Sequence, residues 1–233
     1  MRREKLHDSQ DDHMCHQQAF NREYFCRKET TGYTLEFQHK RFRRYIKLLF
    51  REEIPADLRI LDMGCGFGVF LGLCDKLHFK TYGVDISKYS MEKAKKFTAG
   101  NLLISDSHRL PFKSLSFNVV TMFDMIEHLK SPYEALKEAN RILKLDGLLV
   151  ITTPNLESLS KLIQGRRWLA YQDATHLFLF TKYTLKKLVE KTGFKIARLE
   201  TVSSLPVLGS LLRKIGLAGN IWLAGRKQRH KSK

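Results

Sequence analysis

The alternation of short apolar runs with amphipathic runs from residue 54 onwards constrains the fold of this chain more than any other feature. Strands that alternate with helices of about 10–15 residues are typical of a parallel sheet with helices on both faces. The pattern therefore predicts an α/β fold. The apolar runs are LRILDMG (58–64), KTYGVDI (80–86), NLLISD (101–106), SFNVVTMFDM (116–125) and LLVITTPN (148–155). Between them, residues 87–97 and 131–144 predict helices that Ser87 and Ser131 cap, and Asp146-Gly147 predicts a turn.

The flanks of this region carry further patterns. Residues 35–53 predict an amphipathic N-terminal helix whose apolar stripe leaves out Arg41 and the neighbouring basic residues. Residues 182–192 predict a helix that ends at Gly193. Two closing strands are expected at 194–202 and 220–227, joined by an apolar segment.

Composition excludes several classes of protein. Hydrophobic residues make up 43% and charged residues 28%, which is typical of a globular chain. No run approaches the roughly 18–20 apolar residues of a membrane-spanning helix, and the N-terminal residues lack the apolar stretch of a secretory signal. Since the four cysteines form no close CxxC pair, we expect free thiols in a cytoplasmic protein. These cysteines are Cys15, Cys26, Cys65 and Cys74.

The positive charge is concentrated toward the C-terminus. Of the net charge of +17, residues 154–204 contribute +5 and residues 205–233 contribute +7. A basic region of this kind suits nucleic acid, an anionic lipid surface or an acidic metabolite. A solvated basic face without a partner is the equally open alternative.

The strongest local signal is a glycine-rich loop after the first expected strand, which reads DMGCGFG over residues 62–68. Glycines allow a backbone to approach a ligand closely, and open parallel sheets bind ligands beyond the carboxyl ends of their strands. A GxGxxG dinucleotide loop would require glycine at Val69, and there is no GxxxxGK[ST] phosphate loop. The loop therefore indicates neither a dinucleotide nor ATP or GTP.

Acids at two further strand ends narrow the ligand class. Asp85 ends the second strand, 17 residues beyond Gly68, where a carboxylate can accept both hydroxyls of a ribose. Asp106 follows the third strand and can accept a hydrogen bond from an adenine amine. An adenosine-like ligand without a phosphate fits this set, while a plain strand-end or capping role for Asp85 is the structural alternative.

Together these motifs resemble the class I S-adenosylmethionine (SAM)-dependent methyltransferases. LDMGCGFG resembles their first motif, GVDIS their acidic second-strand end, and LKLDGLLVITTPN their fifth-strand motif. HLFLFTKYTLKKLVEKTGF and NIWLAGRK resemble the quinone O-methyltransferase-like branch, so that the resemblance spans roughly residues 35–227. It implies a doubly wound, Rossmann-like seven-stranded sheet of order 3-2-1-4-5-7-6, with strand 7 antiparallel and helices on both faces.

The resemblance also implies a division of the chain and a binding site for SAM. Residues 54–227 would form the methyltransferase domain, with 154–218 including a cover on the acceptor side. Residues 1–53 would be an N-terminal extension and 228–233 a basic tail. The residues implied to hold SAM are Asp62, Gly64, Cys65, Gly66, Gly68, Asp85, Ile86, Asp106, Ser107 and, near the methyl group, Phe123.

Methyl transfer to a hydroxyl is helped by a group that takes the hydroxyl proton. Glu127 and His128, after the fourth strand, and His176, in an aromatic segment, are the catalytic candidates. The D-x-x-E-H spacing is expected to place Asp124, Glu127 and His128 within one helical turn. The structural alternatives are a carboxylate favoured by the helix dipole and packing histidines.

The same D-x-x-E-H motif raises the question of a metal. Nitrogen and oxygen ligands of this kind suit a divalent cation. The motif resembles the E-x-x-E-H cation site of some ubiquinone-pathway O-methyltransferases and of small-RNA 2′-O-methyltransferases. Because Asp124 stands where those enzymes carry Glu, we expect no bound metal and keep a divalent cation as the alternative.

The expected activity is methyl transfer from SAM to an oxygen of a small-molecule, lipid-linked or glycan acceptor, by a monomer or homodimer. Two alternatives remain open. The first is an RNA methyltransferase that uses the basic C-terminal third. The second is a non-catalytic cofactor-binding or membrane-surface protein that uses residues 205–217 and the tail.

Overall fold

A computed structural model describes residues 18–30, 33–50, 57–202 and 216–228. These residues form a seven-stranded sheet of order β3-β2-β1-β4-β5-β7-β6, in which β7 runs antiparallel to both β5 and β6 and the other pairs are parallel. This confirms the order and the antiparallel strand expected from the sequence. The strands are β1 Arg59–Met63, β2 Lys80–Asp85, β3 Asn101–Ile104, β4 Phe117–Phe123, β5 Leu143–Pro154, β6 Phe194–Val202 and β7 Asn220–Lys227.

Helices begin where side chains cap their first amide groups. The Ser87 and Ser131 hydroxyls accept hydrogen bonds from backbone amides three residues on, as the sequence predicts, and Thr181 begins another helix with a capping box. The helices are α1 Arg22–Thr30, α2 Leu35–Leu49, α3 Val69–Asp75, α4 Lys88–Ala94, α5 Pro132–Ile142, α6 Leu159–Gln164, α7 Leu169–Gln172 and α8 Lys182–Lys191. Short 3-10 turns occupy Ile126–His128 and Gly165–Arg167.

The sheet is covered by apolar side chains on both faces. Leu61 points into a core with α5 and α8, whereas its neighbour Ile60 points into a second core with α2, α3 and α4. Adjacent residues of a buried strand face opposite sides, so a strand between two helical layers is apolar throughout. None of the helices in the described ranges combines the length and apolarity needed to cross a bilayer.

The structure differs from the sequence expectation at two places. The fifth strand begins at Leu143 rather than 148, because the expected turn around Asp146, whose φ is 61°, forms a bulge between the pairs Leu143–Phe117 and Leu148–Val119. The helical turn expected at D-x-x-E-H is only a 3-10 turn of three residues. The α-helix starts later, at Pro132, where proline at the first helical position and the Ser131 cap define its beginning.

Candidate active site

The glycine-rich loop wraps around the carboxyl end of β2. The backbone amides of Gly64 and Cys65 donate to the Val84 carbonyl at 2.7 and 3.0 Å. Gly64, Gly66 and Gly68 all have positive φ, between 51° and 73°, a conformation that favours glycine. The loop thus turns directly from β1 into α3 and leaves an open crevice at the edge of the sheet.

This crevice is the first of two cavities, which we name the glycine-loop cavity. It is lined by nine of the ten residues implied to hold a cofactor, and His128 joins them. Gly68 is the exception, since its α carbon faces Ala94 and Thr98 on the helical side, where an added Cβ would lie 3.1 Å from both. The nine lining residues are Asp62, Gly64, Cys65, Gly66, Asp85, Ile86, Asp106, Ser107 and Phe123.

Asp85 presents its carboxylate at the floor of this cavity. One carboxylate oxygen accepts from the Gly66 amide at 2.9 Å and the other from the Ser87 amide at 2.8 Å. Burial raises the pKa of Asp85, while these amides favour its charged form. The carboxylate is thus held in place by the backbone, and each oxygen retains a lone pair for a diol such as a ribose.

Asp62 lies at the end of β1 and is almost completely buried. Its carboxyl accepts a hydrogen bond from the Thr121 hydroxyl at 2.6 Å. Burial raises the pKa of Asp62 to about 7, so that its charge responds to pH and to any cation brought beside it.

Asp106 is held by a neighbour that sequence reasoning missed. The His108 amide and ring Nδ1 lie 2.8 and 2.5 Å from one Asp106 oxygen, and the hydrogen bond to this carboxylate raises the pKa of His108. His108 also lines the cavity. Its only sequence signal was its place two residues after a candidate acid.

The opposite wall of the glycine-loop cavity comes from the N-terminal extension. Phe20, Tyr24, Phe25 and Lys28 reach over the strand ends, and Phe25 packs against Phe67 of the glycine loop with ring centroids 4.9 Å apart. These residues leave a cavity of ≈ 150 Å³. Sequence analysis missed them, although the aromatic run around residues 20–25 was a visible signal.

A second and larger cavity, of ≈ 580 Å³, opens beside the first, and we name it the aromatic cavity. Four of the residues that line it also line the glycine-loop cavity, so the two cavities meet. The shared residues are Tyr24, Lys28, Tyr33 and Asp124. Phe37 and Trp168 add further aromatic walls.

Glu127, His128 and His176 gather at this meeting point. One ligand atom from each lies within 4.8 Å of the others, and the rings of His128 and His176 have centroids 4.6 Å apart. Glu127 and His176 line the aromatic cavity, whereas His128 lines the glycine-loop cavity. The structure therefore brings together the three side chains that the sequence singled out as catalytic candidates.

Burial sets the protonation of this cluster. Both Glu127 oxygens are buried without a hydrogen-bond partner among the described residues. Burial and the nearby Asp124 charge raise the pKa of Glu127 to about 8. Burial and the neighbouring His176 lower the pKa of His128 to about 3, so His128 is neutral at physiological pH.

The backbone orients both imidazoles in the same way. His128 Nδ1 lies 3.1 Å from the Thr175 carbonyl, and His176 Nδ1 lies 2.7 Å from the Ala170 carbonyl. A neutral imidazole that donates from Nδ1 to a carbonyl carries its lone pair on Nε2. The Nε2 atoms are therefore the ones available to a proton or a cation.

Asp124 does not join the cluster, contrary to expectation. It adopts a positive φ of 47°, and its carboxylate forms an ion pair with Arg41 and accepts from the Thr152 hydroxyl at 2.9 Å. Although burial opposes the charged form, Arg41 holds the pKa of Asp124 below its usual range. The Arg41 side chain is nevertheless only 9% exposed, although Arg41 lies off the apolar stripe of α2 as the sequence predicts.

The remaining three groups fit a divalent cation by their chemistry. Two imidazole nitrogens and one carboxylate oxygen form a donor set that zinc and other first-row metals accept, and each imidazole already donates to a carbonyl as metal-bound histidines do. Asp124 is not a fourth ligand here, because its charge is compensated by Arg41.

Asp173 connects this cluster to helix α1, and sequence analysis gave it no role. Its carboxylate lies 2.8 Å from Lys28 Nζ and 3.6 Å from His176 Nε2. It also accepts from the Thr175 hydroxyl at 2.5 Å, and that hydroxyl lies 2.9 Å from His128 Nδ1. Asp173 therefore contacts the cover over the first cavity and the histidine pair at once.

Known structures share this architecture. A crystal structure of a SAM-dependent methyltransferase from Archaeoglobus fulgidus superposes with a TM-score of 0.71 at 25% identity, covering 88% of this chain and 99% of that one. A family model described as "Methyltransferase domain" matches residues 36–199, which include the carboxyl ends of β1 to β5.

Curated relatives match this chain over different lengths. The uncharacterized protein MJ0638 of Methanocaldococcus jannaschii is 31% identical over 77% of this chain and 80% of its own length. The chain spans 61% of a second uncharacterized protein of that archaeon, MJ1252, at 27% identity over 66% of this chain.

A mitochondrial ubiquinone biosynthesis O-methyltransferase of Candida albicans matches 47% of this chain at 30% identity, and only 37% of its own length is covered. The family model that matches residues 36–199 and the order of the strands both indicate a methyltransferase domain. The chain therefore belongs to the methyltransferase-domain family and is a SAM-dependent methyltransferase with a Rossmann-like fold.

Proposed function

We propose that this enzyme transfers the methyl group of SAM to a hydroxyl oxygen of a small-molecule, lipid-linked or glycan acceptor. The observation that carries the proposal is the Glu127–His128–His176 cluster at the meeting point of the two cavities. SAM would bind in the glycine-loop cavity and the acceptor in the aromatic cavity, whose walls favour a planar acceptor group.

The reaction forms a bond between the acceptor oxygen and the methyl carbon as the bond from that carbon to the sulfonium sulfur breaks. S-adenosylhomocysteine (SAH) leaves, and the hydroxyl proton needs an acceptor. Within the cluster, Glu127 has a pKa near working pH, raised to about 8 mainly by burial, which suits a general base. The cover formed by α1 would exclude water and align the reactants.

A divalent cation would be held by Glu127, His128 and His176. When bound, it would supply Lewis-acid stabilisation of the acceptor oxyanion. Asp124 and Arg41 would then serve as neighbours that fix α2 against the site. The similarity of this chain to a ubiquinone biosynthesis O-methyltransferase supports an oxygen acceptor, and the reaction of such an acceptor is helped by either a base or a cation.

Replacement of Glu127 tests the proposal. With methyl-labelled SAM and a panel of catechols, prenylated phenols and glycans, we expect an O-methylated product whose rate of formation falls about 10²-fold or more in E127Q. SAH affinity, measured by calorimetry, should change little because Glu127 lies outside the glycine-loop cavity. The exposed Glu157 offers a control variant, E157Q, that should keep the parent rate. An N-methylated product, or an unaffected E127Q, would contradict the proposal.

A further inference from the structure

The segment from α6 to α7 carries an unusual surface, which we name the 159–171 surface. Its apolar side chains point outward, with Ile163 76%, Leu162 63%, Leu169 62% and Tyr171 45% exposed. Leu169 also lines the aromatic cavity, so this surface lies at the edge of the expected acceptor site. Isolated exposed apolar residues are ordinary, but a group of them beside a cavity marks an interaction site.

The segment is anchored to the body of the protein. Trp168 and Ala170 are buried, with exposures of 5% and 7%. The Gln172 side chain donates to the Arg166 carbonyl at 3.0 Å, and the Tyr171 amide donates to the Trp168 carbonyl at 2.8 Å. Leu169 and Tyr171 therefore point outward because they alternate with the buried Trp168 and Ala170, whereas Leu162 and Ile163 lie in a run of exposed residues over 162–167.

The charge of this surface has one sign. Between Ser158 and Gln172 the sequence contains Lys161, Arg166 and Arg167 and no acidic residue. Both arginines are exposed, and none of the three basic residues forms an ion pair with a residue that the structure describes. Apolar side chains flanked by unpaired basic residues match the interface of an anionic bilayer.

A second copy of this chain fits the surface less well. A symmetric pair that buried Leu162 and Ile163 against each other would also bring the arginines of both copies together, and residues 159–171 contain no acid to separate them. Like charges placed together at an interface oppose association.

We propose that the 159–171 surface binds an anionic lipid bilayer and so presents the aromatic cavity to an acceptor held in the membrane. The inference deepens the proposed function, on which it rests for the acceptor, by selecting the lipid-linked class. It places Leu162, Ile163 and Leu169 in the interfacial region and the arginines among the phosphates.

Vesicle flotation of the full chain tests the proposal, because it needs no acceptor. We expect binding to vesicles of phosphatidylcholine with phosphatidylserine, weak binding to phosphatidylcholine alone, and release by salt. R166Q/R167Q should bind about 25-fold more weakly, since each arginine near the surface contributes about 1 kcal/mol, or roughly 5-fold. I163N/L169N should weaken binding to both kinds of vesicle.

Matched controls separate the surface from total charge and from folding. K95Q/K96Q removes two adjacent exposed charges just after α4, and L145N removes an exposed apolar residue of β5. Both variants should float like the parent. Equal loss in K95Q/K96Q and R166Q/R167Q, or parent-like flotation of I163N/L169N, would overturn the proposal. SAH binding should persist in every variant, and its loss in the parent would instead count against the proposed function.

Discussion

Asp62 shows how one buried acid couples the fold to the expected cofactor. Its neighbours in the core keep water away, and the Thr121 hydroxyl is its hydrogen-bond donor. A carboxyl in this position is stable when protonated, yet a cationic sulfonium placed beside it would favour the charged form. We therefore expect Asp62 to lower the stability of the free protein when it is ionised, and to be suited to a cationic ligand.

The D62N variant should reveal this loss of stability through the pH dependence of unfolding. Because burial raises the pKa of Asp62 to about 7 from an ordinary 3.8, the folded state holds a proton that the unfolded state has lost between about pH 4 and 7. Stability of the parent should fall as pH rises through that window, by up to about 4 kcal/mol. D62N cannot ionise at this position. Denaturant titrations should therefore show that the free energy of unfolding of D62N rises relative to that of the parent from pH 4 to pH 8. A constant difference between the two proteins would contradict the assignment.

Two glycines of the loop should respond differently to the same substitution. Gly66 and Gly68 both have positive φ, so alanine strains both backbones by about 1–2 kcal/mol. An added Cβ meets nothing within 4 Å at Gly66, but meets Ala94 and Thr98 at 3.1 Å at Gly68. We expect G68A to lose more stability in thermal unfolding, and G66A to lose more SAH affinity in calorimetry. The reverse order would place the ligand elsewhere.

At the scale of elements, the sequence predicted what local patterns control. The strands β6 and β7 begin and end where the apolar runs do, and Ser87 and Ser131 begin their helices as expected. What escaped prediction depends on contacts distant in sequence. Arg41 is buried only because Asp124, 83 residues away, compensates its charge, and no pattern within α2 indicates that partner.

Helix α1 forms an ion pair with the segment that lines the aromatic cavity. Lys28 and Asp173 are 2.8 Å apart with side chains 29% and 15% exposed, and aromatic rings of α1 also line the narrow glycine-loop cavity. A cavity of ≈ 150 Å³ is below the roughly 300–1,000 Å³ of small-molecule sites, so we expect α1 to shift when SAM binds. The ion pair therefore stabilises the closed position of the helix.

Removal of this ion pair should accelerate exchange of the cofactor. We expect K28Q and D173N each to raise the SAH dissociation rate in stopped-flow measurements about 5- to 10-fold, and the double variant to add little, because the two residues act as a pair. K28R should retain most of the parent behaviour. On α2 the exposed Lys40–Glu36 pair provides a control, since K40Q removes an ion pair of ordinary surface strength. Additive effects in the double variant would show independent roles.

For the whole molecule, the sheet order follows from sequence because alternating strands and helices leave few topologies. Only part of the candidate active site can be predicted from the sequence. Strand ends gather at one edge of a parallel sheet, so the cofactor residues could be placed together in advance. The aromatic cavity takes most of its lining from the N-terminal helices and residues 160–176, whose position is fixed by tertiary contacts such as those of Lys28 and Trp168. The apolar segment 205–217 and the basic tail lie almost wholly outside the described residues.

Binding of the cofactor should stabilise the whole domain, because one ligand would contact β1, β2, β3, β4 and α1 together. SAH at 100 times its dissociation constant contributes about 2.7 kcal/mol. In a domain of this size that raises Tm by roughly 5–11 °C. D85N should show a smaller rise at the same concentration, because it weakens the acceptor for the ribose hydroxyls. D57N, at an exposed acid paired with Lys80, should match the parent.

ATP should stabilise the parent little, since the glycine loop contains no lysine or arginine for a phosphate. A larger rise with ATP than with SAH would show that the crevice selects phosphates and would contradict the cofactor assignment of its residues.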